Sequence, residues 1–484
     1  MENKQKFKWW HIMVVTLSVL IGLCSIFIRS TNWDEMHYVD PGAQLALQGR
    51  MVSTAWVSNS PNELWASSNP GMPLLFAGWF KIFGFGLIQS RILFFLLHLS
   101  GVYVFFSWIR NKLNPSVWAL VFGISGAFLL PSLAEPIIIF RLEVLAFLLF
   151  TLFLYYTWTE KQNTFLNWIA PILLGLLTVF YGFHFTAFFL LAAGVALLLK
   201  RDRITLLRGF ALATGIIFGL IILWIVYKQL NMWDTLLAAR TSHIGRQLSW
   251  CPIGWKKLTV THDWPVLLSL AVIGFIGNFK LGKSKWLAWA LAICAFLIIP
   301  YAISLVGLYY RSYIWMVSLP MILCFYYSEK SLKGWYLNFS IILISLSYMF
   351  YGLYSINMIQ KLNTDRKQQN QLLGFVDERI PKGSSIVAPP LYFYYYLTGN
   401  GFKYYPRRGV GAGEHLGYKE DYFFPKNLRN QVKFIITETG FDYSEAETSF
   451  DFSDMGGEWE QIGNFPAQTA GYAHKGFKVF ARKE

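Results

Sequence analysis

The sequence predicts a polytopic α-helical membrane protein of about eleven transmembrane helices with a small C-terminal extracytoplasmic α/β domain. Three observations predict it. Of 484 residues, 55% are hydrophobic and only 14% charged, with a mean hydropathy of +0.40. A soluble domain carries about 25% charged residues. The apolar residues gather in continuous blocks of roughly 17–23, long enough to cross a bilayer core. That continuity excludes an alternating β-barrel. Finally, charge divides the chain: residues 1–361 hold 27 Lys and Arg against 12 Asp and Glu, whereas 362–484 hold 15 of each. The pI of 9.4 therefore belongs to the membrane half and implies no nucleic acid partner.

Taken in order, the blocks place spans near 9–28, 88–109, 115–132, 141–157, 165–182, 184–199, 207–227, 265–279, 286–306, 313–327 and 335–356. The fifth and sixth are joined only by Tyr181-Gly182-Phe183. The first is too long for a removable signal peptide and lacks a small-residue cleavage site. Lys4, Lys6 and Lys8 precede it, and every second short connection is basic: Arg110 and Lys112, Lys161, Lys200 to Arg203, Lys280 to Lys285, Lys330 and Lys333. The positive-inside rule puts these in the cytoplasm. An odd span count then puts the first long loop and the C-terminus outside the plasma membrane.

The expected division is 1–360, a transmembrane domain with interfacial helices in its first outer loop (29–87), and 361–484, an extracytoplasmic α/β domain. The first outer loop is far longer than a connector requires. It reads as a helix ending at Gly49, a Ser/Asn/Pro-rich loop, and an amphipathic run from Pro73 to Phe83. A second outer segment, 228–264, interleaves His243 and Arg246 with Trp250, Trp255, Lys256 and Lys257. Its tryptophans suit interfacial anchoring, and its cations suit a phosphate. In the tail, Gln360 to Phe375 reads as a linking helix. Ser385 to Ala388, Leu391 to Leu397, Lys433 to Thr437 and Phe477 to Ala481 read as strands between Gly/Pro/Asn turns.

Cationic residues on the outer side run against the topology rule and call for a reason. Arg29, Arg50, Arg91, Arg141, Arg240, Arg246, Lys256, Lys257 and Arg311 all fall there, and an anionic ligand is one. Interfacial snorkelling is the other, most of all for Arg91 and Arg141 at helix ends. Of the four cysteines, Cys24, Cys294 and Cys324 fall in spans and Cys251 in an outer loop, which makes no disulfide framework and no metal-type cluster.

Directly after the first span comes Trp33-Asp34-Glu35-Met36-His37-Tyr38. Two adjacent carboxylates at the water–lipid boundary are costly there and usually functional. His37 shares a face with Asp34 if the stretch is helical. Further on stand Asn69-Pro70-Gly71-Met72-Pro73-Leu74, Phe83-Gly84 and Arg91. This series resembles the opening of the type-C (GT-C fold) membrane glycosyltransferases of the polyprenyl/dolichyl-phosphate-sugar transferase group. That group includes protein O-mannosyltransferases and the aminoarabinose transferase of lipid A. The likeness is strongest over 30–160. Asn69-Pro70-Gly71 departs from the family's His-Pro-Pro, and Arg311-Ser312-Tyr313 resembles its Arg-Tyr before the tenth span.

The resemblance implies an inverting transfer, outside the membrane, from a polyprenyl-phosphate-linked sugar to an acceptor hydroxyl or phosphate on an envelope glycan, lipid or protein. It implies Asp34 as general base with Glu35 beside it. A second acid follows from Phe140-Arg141-Leu142-Glu143: Glu143, with Glu135 as the alternative. The family includes metal-dependent and metal-independent members, so a divalent cation stays open as cofactor. The chemistry suits these residue types. The acceptor loses a proton as it attacks the anomeric carbon, which a carboxylate takes up. The leaving lipid phosphate gathers negative charge, which fixed cations stabilise. Arg311, Arg141, Arg246 and Arg91 are the candidates, with His243 and Tyr313 alongside. Two rival readings remain: a lipid-linked sugar transporter or flippase, and a non-catalytic envelope receptor or scaffold. Neither uses Asp34 as a base.

Overall fold

The computed structural model describes residues 7–28, 33–53, 69–129, 142–158, 165–200, 202–238, 241, scattered positions between 335 and 349, 370–406, 429–439, 455–466 and 476–483. Its chain forms two compact units. One comprises Met1–Ser25, Ser68–Met72 and Ile92–Ser355; the other Ile26–Ser67, Pro73–Arg91 and Ile356–Glu484. Most of the long loop 29–87 thus groups with the tail, 29–67 and 73–87 falling in the second unit and 68–72 in the first, whereas the sequence division kept the loop with 1–360.

The helical series opens with α1 (Trp9–Ile28), α2 (Trp33–Gln48), α3 (Gly71–Phe83), α4 (Leu87–Leu113) and α5 (Val117–Phe128). It continues with α6 (Leu142–Trp158), α7 (Leu166–Lys200) and α8 (Arg203–Gln229). By length and composition, Leu87–Asn111 and Arg203–Gln229 are each sufficient to cross a membrane, and α1, α5, α6 and part of α7 contain shorter apolar helices. The expected spans near 9–28, 88–109, 115–132, 141–157 and 207–227 coincide with α1, α4, α5, α6 and α8 to within a few residues. Those at 265–279, 286–306 and 313–327 lie outside the described residues. In the eleventh expected span, near 335–356, 337–343 are helical.

Helix starts are set by local chemistry. Ser116 caps α5 by accepting from the Ala119 amide at 3.2 Å, and its own amide donates to the Asn338 side chain at 2.9 Å. Asp202 caps α8 through the Thr205 amide at 2.7 Å. Where lipid offers no hydrophobic advantage to association, helices pair through small residues. Gly215 and Gly219 of α8 do this against α7: a Cβ at 215 would land on the Ile172 carbonyl, and one at 219 would sit 2.9 Å from Val179 Cβ. The outward positions Phe210, Phe218 and Trp224 of α8 remain exposed, as a lipid-facing surface requires.

Helix α7 breaks at Gly182, whose φ of −168° and ψ of 86° are non-helical. This is the predicted joint between the fifth and sixth spans. Beside the break, the Asn69 side-chain amide donates to the Val179 carbonyl. Gly71 lies against the same turn, where a Cβ would come within 2.7 Å of the Phe180 carbonyl. The Asn69-Pro70-Gly71 departure therefore has a physical partner in this chain. Asn69→Ala is expected to cost about 1–3 kcal/mol by stranding a buried carbonyl. Gly71→Ala should cost a similar amount through overpacking, about 1–3 kcal/mol. Thermal unfolding in detergent micelles measures both.

In the second unit, α2 ends at Gly49 and crosses α3 closely: a Cβ on Gly42 would collide with Phe76 Cβ at 2.5 Å. The tail carries β1 (Ser385–Ala388), α9 (Pro390–Gly399), β2 (Lys403–Pro406), β3 (Phe434–Thr439), β4 (Trp459–Phe465) and β5 (Gly476–Arg482). The sheet runs β2-β1-β3-β5-β4. Strand β1 is parallel to both neighbours, with Ser385 opposite Lys403 and Ile386 opposite Phe434. Strand β5 is antiparallel to β3 and β4. One core gathers Val387, Val432, Ile435 and Met455 beneath Tyr405, Trp459 and Phe480.

The Leu391 to Leu397 strand is corrected: these residues are the helix α9. The aromatic run favours strands, but Pro390 at the first helical turn presets helical φ. Parallel β1 and β2 also need a crossover, which α9 supplies. At its end, Gly401 takes φ of +79°, and the Phe402 amide reaches back to the Leu397 carbonyl at 3.1 Å. This is a Schellman-type stop. Strands β2 and β4 had no counterpart among the expected strands.

Candidate functional site

Helix α2 carries the acidic motif, and the second unit encloses two of its carboxylates. Glu35 is 2% exposed and Arg91, at the start of α4, 1%. Arg91 Nε donates to Glu35 Oε1 at 2.9 Å and Nη2 to Oε2 at 3.1 Å. This is the parallel two-bond fork that only arginine makes with a carboxylate. One and a half turns further, Asp40 is fully buried. Its Oδ1 accepts from Gln44 Nε2 and from the Tyr394 hydroxyl, each at 3.0 Å, and its Oδ2 from Ser53 Oγ at 2.6 Å. Buried carboxylates persist only when so supplied with donors.

The tyrosines of α9 complete the surroundings. Burial first, then the charge of Asp40, hold the Tyr394 hydroxyl well above its ordinary value near 10. The same two causes act on Tyr404, whose hydroxyl donates to the Ala388 carbonyl at 3.2 Å. Burial and then Glu35 push Tyr395 the same way. These hydroxyls stay protonated throughout the physiological range. Their raised values give stability that is complete below about pH 10 and lost as pH rises through the folded-state values. Phe85 stacks on Tyr395 at 5.5 Å and meets Tyr394 edge-on at 6.2 Å.

Of the sequence candidates, Asp34 is the second residue of α2, and His37 lies one turn on in the same helix, which places both on adjoining helical positions. Glu35 and Arg91 are brought together, and each engages the other. Glu143 is the second residue of α6. The side chains of Asp34, His37 and Glu143 lie outside the described residues, as do Glu135, Arg141, His243, Arg246, Arg311 and Tyr313 entirely. Among the described residues no group of three or more His, Cys, Asp or Glu could hold a metal ion. Sequence reasoning missed Asp40 and Tyr394. The one local signal was Asp40 itself, an acid followed at i+4 by Gln44; its tyrosine partner is 354 residues away.

This helix order and loop architecture have known counterparts among solved proteins. The chain has the type-C fold of membrane glycosyltransferases. It is similar over 97% of both chains to apo ArnT from Cupriavidus metallidurans, at 13% identity and a TM-score of 0.53. It is likewise similar to the same protein bound to undecaprenyl phosphate, at 12% identity and a TM-score of 0.50, covering 97% of this chain and 98% of that one. A further solved structure, the oligosaccharyltransferase AglB from Archaeoglobus fulgidus with an inhibitory peptide and a dolichol-phosphate, covers 88% of this chain and 69% of that chain at 11% identity and a TM-score of 0.36. No protein-family model matches the chain, and no curated protein does.

Proposed function

We propose that this chain is an integral-membrane glycosyltransferase of the plasma membrane. It moves a sugar from a polyprenyl-phosphate carrier to an extracytoplasmic hydroxyl or phosphate, with inversion at the anomeric carbon. The observation that carries the reading is the fold, shared along 97% of the chain with a protein whose solved complex holds undecaprenyl phosphate. The acidic motif at the head of α2 supports it. In this reading about eleven spans place the N-terminus in the cytoplasm and the tail outside. Asp34 is the general base, and Glu143, or Glu135 beside it, is the second acid. Arg141, Arg246 and Arg311, with His243 and Tyr313, receive the departing lipid phosphate, whose growing charge they offset.

The bidentate pairing changes the part played by two candidates. Glu35 and Arg91 hold α2 in place, and the phosphate falls to the other cations. A transporter would need no base on α2. Mass spectrometry of polyprenyl-linked sugars and envelope glycans, with and without the protein, is the direct test. Loss of the protein should leave one glycosyl-phosphate lipid in excess and one envelope glycan missing the same sugar. Unchanged glycans, with the lipid-linked sugar redistributed between leaflets, would favour the transporter.

A further inference from the structure

We infer that helix α9 of the tail sets the position of the catalytic helix α2, and that Tyr394 is a positioning residue acting through Asp40. This rests on Asp34 as the base. The attachment is a buried hydrogen bond. Tyr394 donates to Asp40 at 3.0 Å, and both residues are fully buried. Its neighbour Tyr395 stacks on Phe85 at 5.5 Å, and Arg91 grips Glu35 of the same helix in a two-bond fork. Glu35 and Asp40 are five residues apart on one helix, so they span about 7.5 Å of its axis. Held at Glu35 by Arg91 and at Asp40 by Tyr394, α2 is restrained both in rotation about that axis and in sliding along it. Asp34 immediately precedes the first of them.

The nature of the contact matters as much as its place. Apolar packing between α2 and α9 would tolerate small rotations. A hydroxyl aimed at a carboxylate that already accepts from Gln44 and Ser53 does not, because turning α2 strands a buried charge. Six residues from Asp40, a small tilt of α2 translates into a shift of order 1 Å at the base, and a misplacement of that size costs about 10²-fold in rate. The tail domain would then contribute to turnover without touching substrate.

The test is a double-mutant cycle on the full-length protein in lipid nanodiscs. Turnover is read with the polyprenyl-phosphate-sugar extract of the host's own membranes, and affinity with undecaprenyl phosphate alone. Tyr394→Phe removes one hydroxyl. It should lower kcat by about 10- to 100-fold, leave undecaprenyl phosphate affinity within about twofold, and cause no further loss when added to Asp34→Asn. Asp40→Asn keeps the shape and an acceptor for Tyr394, and should show a smaller fall with the same non-additivity. It serves as the second probe should Tyr394→Phe not accumulate folded. Turnover of Tyr394→Phe within twofold of the parent would overturn the proposal, as would independent, multiplicative losses in the double variant. Normal turnover in Asp34→Asn alone would instead refute the base assignment on which it rests.

Discussion

Asp34→Asn is expected to slow sugar transfer by ~10²–10⁴-fold, the usual contribution of a general base, while donor binding and folding survive. The substitution is nearly isosteric and removes only the proton acceptor. Asp34 is the second residue of α2, and that helix is anchored by the Glu35–Arg91 fork and the buried Asp40. Folding should therefore be indifferent to the change. The measurement is the single-turnover rate with a purified lipid-linked donor, beside equilibrium binding of that donor. Near-normal turnover would remove Asp34 from the chemistry and move the search to Glu143 and Glu135.

Glu35→Gln is expected to act in the opposite way, on stability. Breaking one partner of a buried pair leaves the other charge uncompensated and costs about 3–5 kcal/mol. Both partners are almost wholly inaccessible, at 1% side-chain exposure each, so solvent screening offers little relief. Arg91→Met should cost as much. Replacing both by apolar residues of like volume should restore most of the loss, since burying the pair itself carries a large desolvation penalty. Thermal unfolding of the two single variants and the double variant in detergent tests this. A Glu35→Gln protein with parental stability and lost turnover would return Glu35 to the catalytic machinery.

How much of this was legible in the sequence depends on the range of the interactions involved. The membrane helices α1, α4, α6 and α8 were readable because a lipid environment dictates their composition residue by residue. The joint at Gly182 was readable because an apolar block of 35 residues exceeds one bilayer crossing. The α2 and α3 helices of the first loop were visible through Gly49 and the amphipathic run from Pro73. In the tail, β1, β3 and β5 announced themselves by β-branched and aromatic residues between turns. Helix α9 did not, because its run of Phe and Tyr carries the propensity of a strand. Only the need to cross between parallel β1 and β2, with Pro390 to start the turn, made it helical.

From the sequence alone comes the class of molecule: helices of membrane length, a long loop after the first of them with an Asp-Glu pair near its start, and a charge-balanced tail. Composition, hydropathy and charge placement are local properties, and the bilayer acts on them locally. The sequence also singled out Asp34, Glu35 and Arg91 as residues out of keeping with their surroundings. Packing in three dimensions chose the partner each of these charges takes. Glu35 and Arg91 lie 56 positions apart and Asp40 and Tyr394 lie 354 apart. No pattern along the chain encodes those distances. A buried carboxylate must find its donors wherever the fold brings them, and packing gave Arg91 to Glu35 and Tyr394 to Asp40.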